Sequence, residues 1–133
     1  IKYTKKQKND FYRVGVMITT GNRLITKKTN CKKTHPLQKL YNNFAKSNWK
    51  FNRKSIYIHA EINAIIQSKK NKKFNPEKST IYIGRITKDE TVVASLPCLS
   101  CFKAIKDSGI RYIVCYSPNN KIISFDMKKI KKE

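Results

Sequence analysis

Apolar and polar residues alternate in several short segments of this chain, which is the period of strands that bury one face. The first two such segments, Arg13–Thr20 and Arg23–Thr29, are separated only by Gly21-Asn22. Because glycine and asparagine tolerate positive φ, this pair predicts a tight turn and a β-hairpin. Further strand-like segments cover residues 79–87, 110–117 and 122–125. The link Pro118-Asn119-Asn120 is too short for a crossover helix, so the last two strands are predicted to pair antiparallel.

Three other segments repeat apolar residues every three or four positions, which is the spacing of a helix with one buried face. The first begins near Pro36, the second covers residues 59–70, and the third follows Pro97 and ends at Gly109. Their apolar positions are Leu37, Leu40, Tyr41 and Phe44 in the first, Ile58, Ile62, Ile65 and Ile66 in the second, and Cys101, Phe102 and Ile105 in the third. Together the segments predict an α/β fold in which helices flank a five-stranded mixed sheet.

The length of 133 residues predicts one domain, with basic ends at residues 1–10 and 128–133 that we expect to be flexible. No apolar run is long enough to cross a membrane, so we expect no membrane partner. Of the four cysteines, two belong to a motif described below, Cys115 lies in an apolar strand, and Cys31 lies in a basic loop. This usage favours free thiols and a reducing, cytoplasmic compartment.

Charge is the second informative property. Thirty Lys and Arg stand against eight Asp and Glu, a formal net charge of +22. Between Asp10 and Glu61 there is no acidic residue, while the same interval holds eleven Lys or Arg. A codon bias toward lysine would enrich acidic residues as well, so it does not explain their scarcity. Such an excess predicts affinity for nucleic acid or another polyanion.

Two short motifs carry candidate chemistry: His59-Ala60-Glu61 and Pro97-Cys98-Leu99-Ser100-Cys101. One histidine and two cysteines are ligands that zinc prefers, and three protein ligands leave a fourth position for water. A carboxylate beside the metal can move the proton of that water. Each motif alone is weak, since His-x-Glu occurs by chance and Cys-x-x-Cys could be redox-active or half of a structural zinc site. Jointly they match the signature of zinc deaminases.

These motifs resemble the cytidine/deoxycytidylate deaminase superfamily, which includes free-nucleotide deaminases, APOBEC/AID-type editors and tRNA adenosine deaminases. The segment 30–36 and the run Tyr57-Ile58-His59-Ala60-Glu61 are similar to small phage and viral deaminases. The resemblance implies a cytidine deaminase-like fold and one Zn²⁺ per chain held by His59, Cys98 and Cys101, with Glu61 as the proton shuttle. It also implies a group of substrate contacts, namely Asn30, Ala60, Ser95, Leu96, Pro97 and Tyr116. For Asn30, a turn-capping role is an equal alternative.

Several basic and aromatic residues are candidates for contact with nucleic acid. If Asn30 faces the metal, four lysines rim the pocket. A basic loop adds two further candidates, and its aromatic residues Trp49 and Phe51 either stack on bases or pin the loop to the core. These candidates are Lys27, Lys28, Lys32, Lys33, Trp49 and Arg53. The lysines at 69, 70, 72 and 73 are another candidate patch for nucleic acid, which we discount. They suit the negative end of a helix dipole, and about twelve helical residues separate them from the motif by roughly 18 Å, so we expect them to form a separate surface.

The favoured function is conversion of cytosine to uracil in single-stranded DNA, because a polymer explains the charge and a base inside a duplex is inaccessible. DNA is preferred to RNA as the partner. Alternatives are a free deoxycytidylate or cytidine deaminase, a tRNA adenosine deaminase, and a non-catalytic zinc-stabilised nucleic-acid-binding protein. The short link at 118–120 departs from the branches that share His-Ala-Glu, which place a helix there, so their substrates do not transfer directly.

Overall fold

A computed structural model describes residues 13–30, 35–48, 59–87 and 89–129, with the side chains of 44–48 left aside. In chain order the main elements are β1 (Arg13–Thr20), β2 (Arg23–Thr29), α1 (Pro36–Asn48), α2 (Ala60–Lys69), β3 (Ser79–Ile86), α3 (Leu99–Ser108), β4 (Tyr112–Tyr116) and β5 (Ile122–Asp126). Within these described ranges, every predicted strand is present with its ends within two residues of the prediction.

The five strands form one sheet in the order β2-β1-β3-β4-β5. Only β3 and β4 are parallel, and their connection runs through α3, as a parallel pair requires. The β1–β2 and β4–β5 pairs are antiparallel hairpins. The predicted α/β architecture, mixed sheet and final hairpin are therefore confirmed.

The β1–β2 turn follows the predicted chemistry. Gly21 has a φ of 58°, a left-handed conformation that costs glycine little. Its backbone N–H donates to the carbonyl of Lys78, 2.9 Å away, which ties the hairpin to the start of β3. A β-bulge between Ile18 and Thr19 shifts the register near the turn.

The core lies between one face of the sheet and helices α2 and α3. It is built from alternate strand residues and from the inner faces of the two helices, as the 2 and 3.6 periods require. Its fully buried isoleucines include Ile18, Ile81 and Ile113 from the strands and Ile62, Ile65 and Ile105 from the helices. Each such side chain contributes roughly 1.5–3 kcal/mol by leaving water. This packing fixes α2 and α3 against each other and against the sheet.

The inner face of α1 differs from the prediction. Leu40, expected to be buried, is 61 % exposed, whereas Gln38 is fully buried. Leu37 and Tyr41 do pack against the core. A polar side chain therefore takes an inner position of this helix, and its partner is described below.

Further differences concern the helix starts. The second helix begins at Ala60 rather than at 59. The third begins at Leu99, two residues after Pro97. Between β3 and α3, Val92 forms an isolated antiparallel bridge with Ile86. None of the helices among the described residues is long and apolar enough to cross a membrane.

Some predictions fall outside the described residues. They are the flexible segment 1–10, most of the basic tail, and the positions Cys31, Lys32, Lys33, Trp49 and Arg53.

Candidate metal centre

Two of the three candidate ligands occupy the same position in their helices, the residue immediately before the first turn. His59 precedes α2 with φ −74° and ψ 152°, and Cys98 precedes α3 with φ −67° and ψ 169°. Both backbones are extended there, and both carbonyls accept the first helical hydrogen bond, from Asn63 at 2.9 Å and from Phe102 at 2.8 Å. The positive ends of two helix dipoles therefore meet at this site, which favours thiolates.

The third ligand, Cys101, lies in the first turn of α3 and is fully buried. His59 Nδ1 is 3.2 Å from Cys101 Sγ and 3.6 Å from Cys98 Sγ. Ligand atoms of the three residues all lie within 4.8 Å of one another. Tetrahedral zinc, with Zn–N about 2.0 Å and Zn–S about 2.3 Å, requires N and S atoms about 3.5 Å apart. The three side chains therefore fit one zinc ion, and among the described residues no fourth ligand joins them, so a coordination position is left open there. The predicted zinc site is confirmed.

The surroundings of Cys98 favour its thiolate. Its pKa falls to about 3, mainly because the thiolate accepts a hydrogen bond from Cys101, with further help from His59 and from Ser100. The Ser100 Oγ lies 3.1 Å from Cys98 Sγ. Because only the thiolate binds metal, these contacts prepare the ligand for zinc at neutral pH.

Glu61 lies two residues after the histidine ligand and is only 4 % exposed. Burial raises the pKa of its carboxyl group, and the negative charge of Cys98 raises it further, while His59 and Arg85 act in the opposite direction. Arg85, on β3, was not identified from the sequence. A buried carboxyl group that holds its proton more tightly than usual suits transfer of protons near neutral pH.

The buried Gln38 explains how α1 contributes to this site. Its Oε1 accepts a hydrogen bond from the backbone N–H of His59 at 2.8 Å, and its Nε2 donates to Asn42 Oδ1 at 2.8 Å. The first hydrogen bond holds the backbone of the metal ligand His59 in place. The second holds the side-chain amide of Gln38 in the orientation that the first bond requires. The only sequence signal was a Gln and an Asn four residues apart beside the apolar stripe of a helix.

Ser95 anchors the segment that leads to Cys98. Its side chain is buried, donates to the carbonyl of Ile83 at 2.8 Å and accepts from the backbone N–H of Tyr116 at 2.9 Å. Its own N–H donates to the Tyr116 carbonyl at 3.0 Å. These contacts join the segment to β3 and β4 and account for the burial of Ser95. A contact with substrate stays a prediction.

The other predicted substrate residues differ in burial and in their contacts. Ala60 is buried at the first position of α2, Pro97 is half-buried next to Cys98, and Leu96 is 41 % exposed. Asn30 follows β2, where its Oδ1 accepts from the N–H of Val14 at 3.1 Å. That contact extends the β1–β2 pairing. Their roles toward a substrate stay predictions.

Tyr116 is not brought into the ligand group. In β4 the residues Ile113 and Cys115 face the core, so Tyr116 points to the other face of the sheet. There it lines an apolar pocket with Met17 and Tyr82. Cys115, as predicted, is a buried thiol, and burial raises its pKa.

The predicted separation of two lysine clusters is wrong. Lys27 and Lys28 line a groove together with Lys70 and Lys72, at the C-terminal end of α2. Lys27 and Lys28 are close to Asn30 in sequence, but nearness in sequence does not determine which end of α2 they approach. Strand β2 runs alongside α2, so those two lysines lie next to the far end of the helix instead.

A comparison with protein families agrees with this geometry. The family model described as Cytidine and deoxycytidylate deaminase zinc-binding region matches residues 1–117. The match includes both motifs that supply His59, Cys98 and Cys101. No curated protein gave a match to the chain.

Proposed function

Because the chain belongs to the cytidine and deoxycytidylate deaminase family, we propose that it removes the exocyclic amine of cytosine in single-stranded DNA. The broader assignment, a zinc-dependent deaminase, rests on the family match and on the His59, Cys98 and Cys101 group. The finer assignment adds the substrate, and the net charge of +22 supports it. The position of Glu61 supports the hydrolytic chemistry that every candidate substrate shares.

The observation that carries the proposal is a buried carboxyl group beside three metal ligands. Glu61 lies in the first turn of the helix that His59 precedes, and it is not one of the grouped ligands. A structural zinc site needs four protein ligands and no acid. A site with three ligands, an open position and a carboxyl group is the arrangement of hydrolytic zinc enzymes.

The reaction is a balanced hydrolysis. Water adds to C4 of cytosine, the bond from C4 to the exocyclic nitrogen breaks, and uracil and ammonia result, without oxidation or reduction. Bound zinc supplies the Lewis acidity that activates water. The Glu61 carboxylate takes a proton as the C–O bond forms and returns one to the departing amine. The raised pKa of Glu61 helps it to retain that proton between the two steps.

The charge supports a polymeric substrate. The net charge of +22 far exceeds what one phosphate group requires for binding. Single-stranded nucleic acid carries a phosphate at every nucleotide, so each added lysine contact can contribute. A single strand also presents its bases without the cost of extracting them from a duplex.

Free deoxycytidylate is the second candidate, and the family description favours it because it names deoxycytidylate deaminases. Both substrates undergo the same chemistry at C4. They differ in the number of phosphates that the protein must contact, so a comparison of rates separates them.

The test is incubation of purified, zinc-loaded protein with single-stranded DNA, RNA, tRNA, cytidine and deoxycytidylate, followed by mass analysis of the bases. The proposal expects uracil in the DNA at the highest kcat/KM, and a rate lower by roughly 10²–10⁴-fold with Glu61→Gln. A higher kcat/KM for deoxycytidylate than for every oligonucleotide would replace the proposed substrate by the second candidate. Inosine in tRNA alone would replace cytosine by adenine.

A further inference from the structure

A groove lies between strand β2 and the C-terminal end of α2. It is referred to below as the β2–α2 groove, and the residues that line it are Ile25, Thr26, Lys27, Lys28, Gln67, Lys70, Asn71 and Lys72. A buried hydrogen bond of 2.8 Å between Thr26 Oγ1 and Ser68 Oγ fixes the strand to the helix beside it. This bond holds the two walls of the groove, β2 and α2, at a fixed position relative to each other.

The lining is strongly cationic. Four of the eight lining residues are lysines, two carry side-chain amides, and none of the eight is acidic. Lys27, Lys70 and Lys72 are exposed. The helix end contributes only about −0.5 of an elementary charge, so the lysines outweigh it several-fold. Ammonium and amide N–H groups donate hydrogen bonds, and phosphate oxygens accept them.

The groove lies along the same helix as the metal centre but at its other end. Ten residues of α2 span about 15 Å from Ala60 to Lys69. A stacked single strand advances about 3.4 Å per phosphate, so about four nucleotides cover that length, and fewer do when the strand is extended. A strand whose target base lies at the metal centre is therefore long enough to reach the groove with its flanking phosphates.

We propose that the β2–α2 groove binds the phosphate backbone of the substrate strand, several nucleotides away from the target base. This inference rests on the proposed action on single-stranded DNA. It predicts that the groove contributes to affinity for long strands and nothing for very short ones, because a trinucleotide centred on the target does not span the helix. Bases in the groove are not read, since the lysines contact phosphate only.

The test uses the triple variant Lys27→Ser, Lys70→Ser and Lys72→Ser, in which all three positions are exposed. Binding of a 15-nucleotide oligothymidine is measured by fluorescence anisotropy over a range of salt concentrations. This probe contains no cytosine, so its binding does not depend on turnover. Each lost phosphate contact lowers the slope of log affinity against log salt by about 0.7, so we expect a loss of up to about 2.

The matched control is Lys106→Ser, Lys128→Ser and Lys129→Ser, three exposed lysines outside the groove. We expect this control variant to bind oligothymidine with nearly the same slope of log affinity against log salt as the wild type. On cytosine-containing substrates, the groove variant should raise KM for a 15-nucleotide strand and leave KM for a trinucleotide unchanged. The proposal would be wrong if the slope of log affinity against log salt fell equally in the two variants. It would also be wrong if the groove variant raised KM equally for the 15-nucleotide strand and the trinucleotide.

Failure of the groove and failure of the proposed function give different results. If the protein deaminates oligonucleotides and the groove variant binds and reacts like wild type, the groove proposal is wrong and the function stands. If only the groove variant loses oligothymidine binding but no oligonucleotide is deaminated, the groove is an anion site and single-stranded DNA is not the substrate.

Discussion

The two ends of helix α2 differ in how their side chains are held and in what they carry. At the N-terminal end, His59 and Glu61 are held by neighbouring elements, and Gln38 fixes the backbone of the histidine. At the C-terminal end, Lys70 and Lys72 are exposed and share a groove with lysines of β2. The first end depends on the exact placement of a few atoms, and the second on the sum of several charges.

This difference has a physical origin. Bond-making steps require reacting groups within about 3–3.5 Å, so a small displacement is costly. Attraction between lysines and phosphates falls gradually with distance and adds over many contacts. A single substitution at the N-terminal end should therefore abolish most of the activity. A single substitution at the C-terminal end should lower the affinity for nucleic acid only partly, and several together should lower it further.

The largest effect is expected at the zinc ligands. Cys98→Ala and Cys101→Ala each remove a ligand and should lose zinc and much of the folding stability, because metal binding and folding are coupled. Elemental analysis and thermal unfolding measure the two losses. Cys115→Ala is the matched control, because this buried thiol lies outside the ligand group. We expect the Cys115→Ala variant to retain its zinc. Full zinc content in both ligand variants would contradict the assignment.

The next largest effect is expected at Glu61, where a substitution should slow the reaction without loss of zinc. Glu61→Gln preserves the size of the side chain but cannot accept a proton, so kcat should fall by roughly 10²–10⁴-fold while zinc content stays the same. Single-turnover kinetics and elemental analysis on the same sample test this prediction. Wild-type turnover by the variant would exclude Glu61 from the mechanism.

The contrast between the two ends also explains what the sequence could predict. The ligand set follows from residue type and spacing within two motifs, because each motif lies at one helix start and is local. Strands such as Arg13–Thr20 follow from alternation and from the Gly21 turn, which are local as well. Patterns of this kind need no knowledge of distant contacts.

What the sequence did not predict depends on contacts between segments far apart in the chain. Gln38 meets His59 across 21 positions, and Ser95 meets Tyr116 across 21 as well. A polar residue on an inner helix face has no local signal for its partner, so Leu40 was expected in the core instead. The grouping of Lys28 with Lys70 required the register of β2 along α2, which spacing alone does not give.

An intermediate effect is expected at Gln38, which supports the metal centre without touching the metal. Gln38→Leu removes the acceptor for the His59 N–H and should lower zinc affinity by roughly 10–100-fold, as losses around metal ligands do. Unfolding stability should fall by about 1–3 kcal/mol, because a buried N–H is left unsatisfied. Competition with a chelator measures the affinity, and urea unfolding measures the stability.

The control for this variant is Asn42→Ala, which leaves the bond between Gln38 and His59 in place and removes the acceptor of the Gln38 amide N–H. We expect a smaller loss of zinc affinity from it than from Gln38→Leu. An equal loss from both variants would show that α1 acts by its packing rather than through the hydrogen bond to His59.

The smallest effect is expected at the C-terminal end of α2. Lys69 lies in the last turn, where a positive charge complements the negative end of the helix dipole. Lys69→Gln keeps a similar helix propensity and should lower the free energy of unfolding by about 0.3–1 kcal/mol at low salt. At 1 M salt the screening length falls to about 3 Å, so the loss should nearly vanish. Urea unfolding at both salt concentrations measures this loss of stability.

Lys39→Gln, near the start of α1, is the control of opposite sign, because a positive charge there opposes the dipole. A loss at Lys69 that persists at 1 M salt would mean that this end of α2, like the other, depends on a specific contact rather than on charge.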